Sequence, residues 1–236
     1  MASAPDGKYG PRTLEMFEGL PQPDLQRIMS NAIQKTFAPG QKIFRVGEPQ
    51  QMVYLLLEGF AKVSQVDGDG NEVILWVSAS GQNIGPLRFG DKSLHDSTAR
   101  AIRSCRVALW SASVFETILD RYPMLLLNIE RIMVRQTSEM YDRICEISTA
   151  PTWLCLGRTL IRLTQLIGKG ANRQYELDLT QECLAQMAAT TVYNVNHQLS
   201  DWERQGLVET RRSLLVIRDL AGLESLCQDA SRQLTA

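Results

Sequence analysis

The sequence predicts an α+β protein with an N-terminal antiparallel β jelly-roll, one long helix and a C-terminal winged helix-turn-helix. Short β-prone runs separated by turn residues fill 41–111, and a helical periodicity follows. Two short helical patterns and a hairpin pattern occupy the last third of the chain. We therefore expect a flexible N-terminus at 1–12, a barrel at 13–121, a dimerisation helix at 122–148 and the winged helix-turn-helix at 149–236.

Composition sets limits on the function. With 236 residues and 44% hydrophobic content, the chain can form one large or two small cores. The net charge of -1 gives no positive field over the whole molecule, so nucleic-acid binding requires a local patch. No apolar run reaches the roughly 18 residues that cross a bilayer, and the N-terminus lacks a secretion signal. The five cysteines are scattered and predict no metal site. We expect a cytoplasmic protein without a membrane partner.

The barrel is predicted by the runs KIF, MVYLLLEG, FAKVSQV, NEVILWVS and CRVALWS. Asp67 to Gly70 supplies residues that tolerate positive φ, so the flanking runs form a hairpin. Many short strands at this spacing are typical of a small antiparallel barrel. The periodicity changes at Ser113, which with Glu116 has the spacing of a capping box at a helix start.

The long helix shows a seven-residue repeat and would run roughly 40 Å. One small barrel cannot cover that length, so we predict a parallel homodimer, with burial against its own domain as the alternative. The predicted interface residues follow two series that are offset by three positions, namely Leu126, Met133, Met140 and Ile147 together with Ile129 and Gln136. Pro151 then ends the helical run.

The C-terminal segment has the pattern of a winged helix-turn-helix. LTQECLAQMA forms the first helix, and TVYNVNHQLSDWERQ forms the second, which ends at Gly206. LVETRRSLLVIRD then predicts a β wing with Arg211 and Arg212 at its tip. In such a module the second helix enters the DNA major groove, although the same arrangement also serves as a plain structural module.

This order of parts resembles the Crp/Fnr family of bacterial transcription regulators. The stretches FAPGQKIFRVGEPQQMVYLLLEGFAKV and TTVYNVNHQL with WERQGLV carry the resemblance, which covers nearly the whole chain beyond about residue 13. It implies a cyclic-nucleotide-binding-type barrel and a homodimer that binds double-stranded DNA, with RNA polymerase and a small-molecule effector as further partners. It leaves open the effector, the target genes and whether the protein activates or represses.

Family members that bind cyclic AMP carry a glycine–glutamate pair for the ribose and an arginine–serine pair for the phosphate. In this sequence Gly85 and Pro86 align with the first pair, and His95 and Asp96 align with the second. Proline offers no carboxylate, and an aspartate repels a phosphate, so we predict that cyclic AMP is not the ligand. The full set of candidate pocket residues is Gly85, Pro86, Leu87, His95, Asp96, Ser97, Thr98 and Arg143.

Several interpretations of this pocket stay open. His95 is either a haem or metal ligand or an ordinary hydrogen-bonded pocket residue. An iron–sulfur cluster is disfavoured because no cysteine precedes Cys105. Arg143 either meets an anionic effector or pairs with Glu139 or Glu146 on the helix surface. The pocket could also be empty, which would leave a constitutive regulator.

The DNA-reading helix departs from the family. Val192, Tyr193 and His197 replace the usual arginine, glutamate and arginine, so the most common guanine contact is lost at these positions. Asn194 and Asn196 could read adenine, and Val192 could contact a thymine methyl group. We therefore predict a target motif unlike that of the cyclic-AMP receptor protein.

Phosphate contacts are assigned to residues around the reading helix. These are Thr190, Thr191, Arg204, Arg211 and Arg212. The segment 151–236 has nine basic and nine acidic residues, so we expect weak or salt-sensitive DNA affinity.

The sequence shows no constellation typical of an enzyme. It contains two histidines, and no phosphate loop, nucleophile elbow or HExxH motif is present. The main alternative to a regulator is a ligand-binding or protein-interaction module that has kept the fold and lost specific DNA binding.

Overall fold

The computed structural model describes residues 14–87, 93–167, 174–211 and 214–234. The predicted flexible segment 1–12 and Arg212 lie outside the described residues. The chain divides into two compact units, here called the barrel unit, Pro11–Met140, and the C-terminal unit, Tyr141–Ala236. The division falls inside the predicted dimerisation helix. Among the described residues, no helix is both long and apolar enough to span a membrane.

The described residues of the barrel unit contain seven strands, which form two antiparallel sheets. They are β1 Ile33–Phe37, β2 Lys42–Phe44, β3 Met52–Glu58, β4 Phe60–Val66, β5 Glu72–Ala79, β6 Thr98–Ala101 and β7 Cys105–Ser111. One sheet has the order β1-β7-β3 and the other has the order β2-β6-β4-β5. The α+β fold class is confirmed. The sequence analysis missed β1, because its first four residues are exposed and show no alternation.

The predicted β4–β5 hairpin is present. The Asp67 carboxylate accepts hydrogen bonds from the backbone N–H groups of Asp69 and Asn71, at 2.9 and 2.8 Å. Gly70 adopts a φ of +89°, a conformation that side chains other than glycine disfavour. The turn chemistry therefore sets the register of the two strands.

The described residues place three α-helices beside the strands of this unit, namely α1 Gln22–Ser30, α2 Ala112–Arg121 and α3 Met124–Thr149, and a short 3-10 helix, Glu15–Phe17, precedes α1. The predicted capping box at Ser113 is wrong. The Ser111 hydroxyl caps α2 by accepting a hydrogen bond from the N–H of Val114. The helix begins earlier because Ser111 still has the extended backbone that an N-cap requires, at φ -64° and ψ 149°. The α2 face and the start of α3 pack on Trp110 in the main core.

The C-terminal unit contains a winged helix-turn-helix, as predicted. Its elements are α4 Thr152–Ile167, β8 Tyr175–Leu177, α5 Gln181–Met187, α6 Val192–Arg204, β9 Val208–Arg211, β10 Leu214–Ile217 and α7 Leu220–Leu234. The three strands form one sheet in the order β8-β10-β9. Thr180 caps α5, and Thr191 caps α6. Ala189 takes a φ of +49° in the tight turn between these two helices.

Candidate functional site

The helix α6 exposes one face and buries the other. Val195, Leu199 and Trp202 are buried, at the spacing that aligns side chains along one side of a helix. The opposite face exposes Tyr193, which is 77% accessible, together with Asn196 and His197. Val192 is exposed because it begins the helix, although it lies on the same side as Val195 and Leu199. Tyr193, Asn196 and His197 therefore share a surface that a DNA groove can reach.

The two candidate asparagines differ in their surroundings. The Asn194 side-chain amide donates to the Thr190 hydroxyl at 3.0 Å, and its backbone N–H donates to the Thr191 hydroxyl. Bidentate reading of adenine uses both the oxygen and the NH₂ group of an amide. Asn194 would have to release Thr190 to make that contact, so the exposed Asn196 is the better placed of the two.

The predicted phosphate-binding cations have acidic neighbours on the same surface. Arg204 forms an ion pair with Asp201, whose other oxygen lies 3.5 Å from Nδ1 of His197. Arg211 Nε lies 2.6 Å from Oε1 of Glu209. Asp201 and Glu209 were missed by the sequence analysis. The i,i+4 spacing from His197 and the i,i+3 spacing to Arg204 could have revealed Asp201.

The candidate effector pocket centres on His95, which is 3% exposed. Its ring stacks on Phe44 with centroids 3.8 Å apart and planes inclined by 10°. Phe44 also lies against Gly85, where an added Cβ would sit 2.6 Å from the ring. Gly85 also has a φ of +81°, so any larger residue would both clash with Phe44 and strain the backbone. Gly85, Phe44 and His95 thus form one packed group.

Several polar atoms in this region are buried and have no hydrogen-bond partner among the described residues. They include both ring nitrogens of His95, Ser97 Oγ and Asn83 Oδ1. The amide of Asn83 donates to the Gly85 carbonyl at 2.7 Å. Burial lowers the pKa of His95 below its ordinary 6.5, with Glu48 and Asp96 opposing the shift. Burial therefore favours a neutral imidazole at His95, the residue that the sequence analysis aligns with the phosphate-binding arginine.

The structure corrects two of the predicted pocket residues. Leu87 belongs to the core cluster that contains Val53 and Leu125. Asp96 is exposed, because it alternates with the buried residues on either side, and its carbonyl accepts a hydrogen bond from Gln65. Because the Asp96 carboxylate is exposed to water, the predicted repulsion between Asp96 and a phosphate is screened.

Two further residues of the predicted pocket, Pro86 and Thr98, use their polar atoms locally. The Pro86 carbonyl accepts a hydrogen bond from the Gln50 side chain at 2.8 Å. The Thr98 hydroxyl accepts one from the Val46 backbone at 3.2 Å. Both contacts fix the backbone around the candidate pocket.

Arg143 lies in a polar cluster of the C-terminal unit. Its guanidinium donates to the carbonyl of Met187, at the end of α5. Burial and the nearby Arg162 lower its pKa to about 10, and Glu146 opposes this shift. The effect of Glu146 on the pKa of Arg143 shows that these two residues are close, as the predicted Arg143–Glu146 pair requires. Contact between Arg143 and an effector stays a prediction.

Comparison with known proteins identifies the chain. The family model of a cyclic nucleotide-binding domain matches residues 34–122, and that of a Crp-like helix-turn-helix domain matches residues 156–226. The chain belongs to the Crp/Fnr family. It is a DNA-binding transcription regulator of that family.

Relatives of this Crp/Fnr protein share its architecture at low identity. The CRP-like cAMP-activated global transcriptional regulator of Mycobacterium tuberculosis is 22% identical over 86% of this chain and 92% of its own length. The structure of FixK2 from Bradyrhizobium japonicum gives a TM-score of 0.74 at 17% identity, over 83% of this chain and 96% of that one. The c-di-GMP responsive global regulator CLP of Xanthomonas campestris gives 0.71 at 18% identity, over 84% and 99%.

In this Crp/Fnr protein, α3 carries an apolar face that its own chain leaves exposed. Leu127 and Val134 are 57% and 60% exposed. The predicted interface residues Leu126, Met133, Met140 and Ile147 are between 39% and 50% exposed. Part of this face is a groove of about 590 Å³, lined by Leu87, Leu126, Ile129, Glu130, Met133, Val134, Thr137 and Ser138.

The second predicted series of the α3 repeat is more buried within its own chain than the first. Ile129 is only 4% exposed and packs in the barrel core with Leu125 and Ile132, which lie on the same side of the helix. Gln136 is half-buried. The exposed series therefore lies one position later, at Glu130, Thr137 and Ile144, because the barrel already covers the side that Ile129 faces.

His95 does not fit the role of a haem ligand in this arrangement. An axial histidine needs one ring nitrogen open to the iron, whereas both nitrogens of His95 are buried. Phe44 covers a face of the ring. A haem at either nitrogen would require the groups that bury that nitrogen to move.

Proposed function

We propose that this Crp/Fnr regulator is a homodimer that reads DNA with α6 and does not respond to cyclic AMP. Its proposed partners are double-stranded DNA, a second copy of itself and RNA polymerase, in the cytoplasm of a bacterium. It acts by binding, with no catalytic step of its own. The exposed face of α6, backed by the buried Val195, Leu199 and Trp202, is the observation that carries the proposal.

The helix α6 is suited to base reading by apolar and amide contacts. Val192 and Tyr193 offer apolar surface to thymine methyl groups, and Asn196 offers an amide to adenine. The N-terminus of α6, capped by Thr191, points its free N–H groups toward an approaching phosphate. These groups favour a site rich in A·T pairs, and a dimer would read two half-sites roughly 34 Å apart.

Dimerisation is supported by the apolar face of α3. Contiguous exposed apolar surface on a soluble protein marks an interaction site. A second copy of α3 fits this face because Leu126, Met133 and Met140 repeat every seven residues and are all exposed. Glu130 and Thr137, which lie between them, would set the register of the pair.

Insensitivity to cyclic AMP is supported by the chemistry around His95. An arginine binds a cyclic phosphate through two charge-assisted hydrogen bonds. The buried His95 has a lowered pKa and is therefore neutral near pH 7, so it brings no positive charge to a phosphate. Uncharged polar atoms of His95, Ser97 and Asn83 line this region and favour a small neutral polar effector.

Selection of bound duplexes from a random library tests the function. We expect a palindromic motif rich in A·T pairs, with an affinity that saturating cyclic AMP leaves unchanged. Asn196→Ala should weaken binding to the selected site by about 5- to 100-fold, the loss expected for one bidentate base contact, and leave random DNA unaffected. Asn194→Ala is the matched control and should change less, because its amide is engaged by Thr190.

Other outcomes of the selection would contradict the proposal. Failure to enrich any motif would favour the alternative of a ligand-binding or protein-interaction module that has lost specific DNA binding. That alternative draws support from the ion pairs of Arg204 and Arg211, which neutralise cations on the reading surface. Enrichment that depends on cyclic AMP would reject the proposed insensitivity and keep the DNA-binding role.

A further inference from the structure

The basic residues around α6 are engaged by two carboxylates. Asp201 contacts Arg204 with one oxygen and lies 3.5 Å from His197 with the other. All three lie on one side of α6, since they are spaced by four and three residues. The side chains of Arg204 and His197 are 77% and 66% exposed, whereas that of Asp201 is only 27% exposed. The acid thus lies beneath the two groups that DNA would meet first.

A second carboxylate has the same arrangement in the wing. Glu209 on β9 contacts Arg211 with one oxygen and Arg218 with the other. The wing is attached to the end of α6, because the Thr210 N–H donates to Glu203 at 2.8 Å. Both acids therefore lie beside cations on the one continuous segment that the family uses against DNA.

The ion pairs of Asp201 and Glu209 contribute little to the stability of the fold. Ion pairs between exposed side chains add little to the folded state, because water and salt screen them. Their effect on a phosphate is larger. A guanidinium that already faces a carboxylate releases fewer counterions when it meets DNA, and the carboxylate repels the backbone.

We propose that Asp201 and Glu209 limit the affinity of the α6 surface for the phosphate backbone, and so make binding depend on base contacts. The inference rests on the proposed DNA-reading surface. The two acids suppress binding to random sequence, where phosphate contacts supply nearly all the affinity. Specific sites lose less in relative terms, because they add contacts to Val192, Tyr193 and Asn196.

Charge-neutral isosteres test this role in the full-length protein. Asp201→Asn and Glu209→Gln keep side-chain size and remove one negative charge each. We measure dissociation constants for the selected site and for a random duplex of equal length between about 50 and 200 mM salt. Each variant should bind the random duplex about 3- to 10-fold more tightly, with a salt dependence steeper by about one phosphate contact. Asp120→Asn is the matched control, with the same charge change on α2, and should stay within about twofold.

A double-mutant cycle identifies the route of the effect. If Asp201 acts by engaging Arg204, the gain from Asp201→Asn should fall at least by half in an Arg204→Gln background. An undiminished gain would overturn action through Arg204. Equal or weaker binding of the random duplex by both isosteres, with unchanged melting temperatures, would overturn the inference as a whole.

The outcomes separate this inference from the proposed function. If the wild-type protein binds its selected site, and the isosteres bind the random duplex no more tightly than the wild type does, the inference is wrong and the proposed function stands. Protein that binds no duplex at low salt, in wild-type and variant form alike, removes the proposed function and the inference together. Isosteres that bind where the wild type does not would support the inference strongly.

Discussion

His95 illustrates how one residue can change the chemistry of a pocket. The sequence analysis aligns His95 with an arginine that binds phosphate in cyclic-AMP-binding family members, and the His95 ring stacks on Phe44. The ring is buried, and neither nitrogen has a hydrogen-bond partner within the described part of the chain. An unsatisfied buried polar group costs stability, and its persistence in a packed site is typical of a binding role.

The stability of the barrel unit should therefore depend on pH through His95. The folded state holds the imidazole neutral because burial lowers its pKa, while the unfolded chain titrates near 6.5. Stability is complete above about pH 6.5 and falls as the pH drops below it, because the unfolded state then binds more protons. In His95→Phe, which keeps an aromatic stack, this part of the dependence should vanish. Chemical denaturation followed between about pH 7.5 and pH 5.5 measures it.

His197→Phe provides the control for the pH series. His197 is exposed on α6, and its substitution should leave the acid-side loss of stability intact. We also expect His95→Phe to fold with a stability within about 1 kcal/mol of the wild type at neutral pH, since an apolar ring replaces an unsatisfied polar one. A His95→Phe variant with the same pH slope as the wild type would contradict this account.

At the scale of elements, the end of α3 is joined to the helix-turn-helix by a polar cluster. Glu146 is 7% exposed and accepts two hydrogen bonds from Arg162 of α4, at 2.9 and 3.2 Å. Arg158 of the same helix lies 3.6 Å away. Arg143 reaches the other side and contacts the Met187 carbonyl of α5. The last turns of α3 thus contact α4 and α5, the two helices that precede α6.

Glu146→Gln should destabilise the C-terminal unit. It removes the buried negative charge that faces Arg158 and Arg162, and breaking such a cluster costs several kcal/mol when it is dry. Both arginines are partly solvated, so we expect about 2 kcal/mol, measured by denaturation of the full chain. Glu139→Gln is the control, since Glu139 is exposed in its pair with Arg135 and should change stability by less than about 0.5 kcal/mol. Equal effects of both variants would show that the cluster contributes no more than a surface pair.

The elements also show what the sequence could and could not predict. The long helix and the helix-turn-helix were predictable because their apolar periods are long and regular. The strand β1 was not, because an edge strand with four exposed residues has no alternating pattern. The choice between Ile129 and Glu130 as interface positions required knowing which side of α3 the barrel covers.

The same limit applies to the candidate sites. Spacing alone located Tyr193 and Asn196 on the reading face, because burial of Val195 and Leu199 fixes the rotation of α6. Spacing could not show that the Asn194 amide is engaged by Thr190, which depends on a side-chain rotamer. Nor could it place Phe44 over His95, because these residues are distant in the chain and meet through strand pairing.

At the scale of the whole molecule, the charge balance of the DNA-reading surface and the apolar face of α3 are related through DNA affinity. A surface with few unpaired cations binds a single half-site weakly, so useful affinity requires two reading helices on one DNA molecule. The proposed dimer would supply the second helix. Affinity for DNA should consequently be more sensitive to the dimer interface than in a strongly basic protein.

Met133→Asp tests this dependence. Met133 is 44% exposed, so the barrel unit should fold with the variant, while a dimer through the exposed series would bury one aspartate from each copy. An unpaired buried charge costs about 3 to 5 kcal/mol, which raises the dimer dissociation constant more than about 100-fold. Sedimentation velocity should show a monomer, and affinity for the selected palindrome should fall to that of a half-site. Arg131→Asp is the control, because Arg131 is exposed on α3, and this variant should remain dimeric.

Two outcomes would contradict the proposed interface. If Gln136→Asp dissociates the dimer and Met133→Asp does not, the second predicted series forms the interface. If neither variant dissociates the dimer, the interface lies elsewhere in the chain.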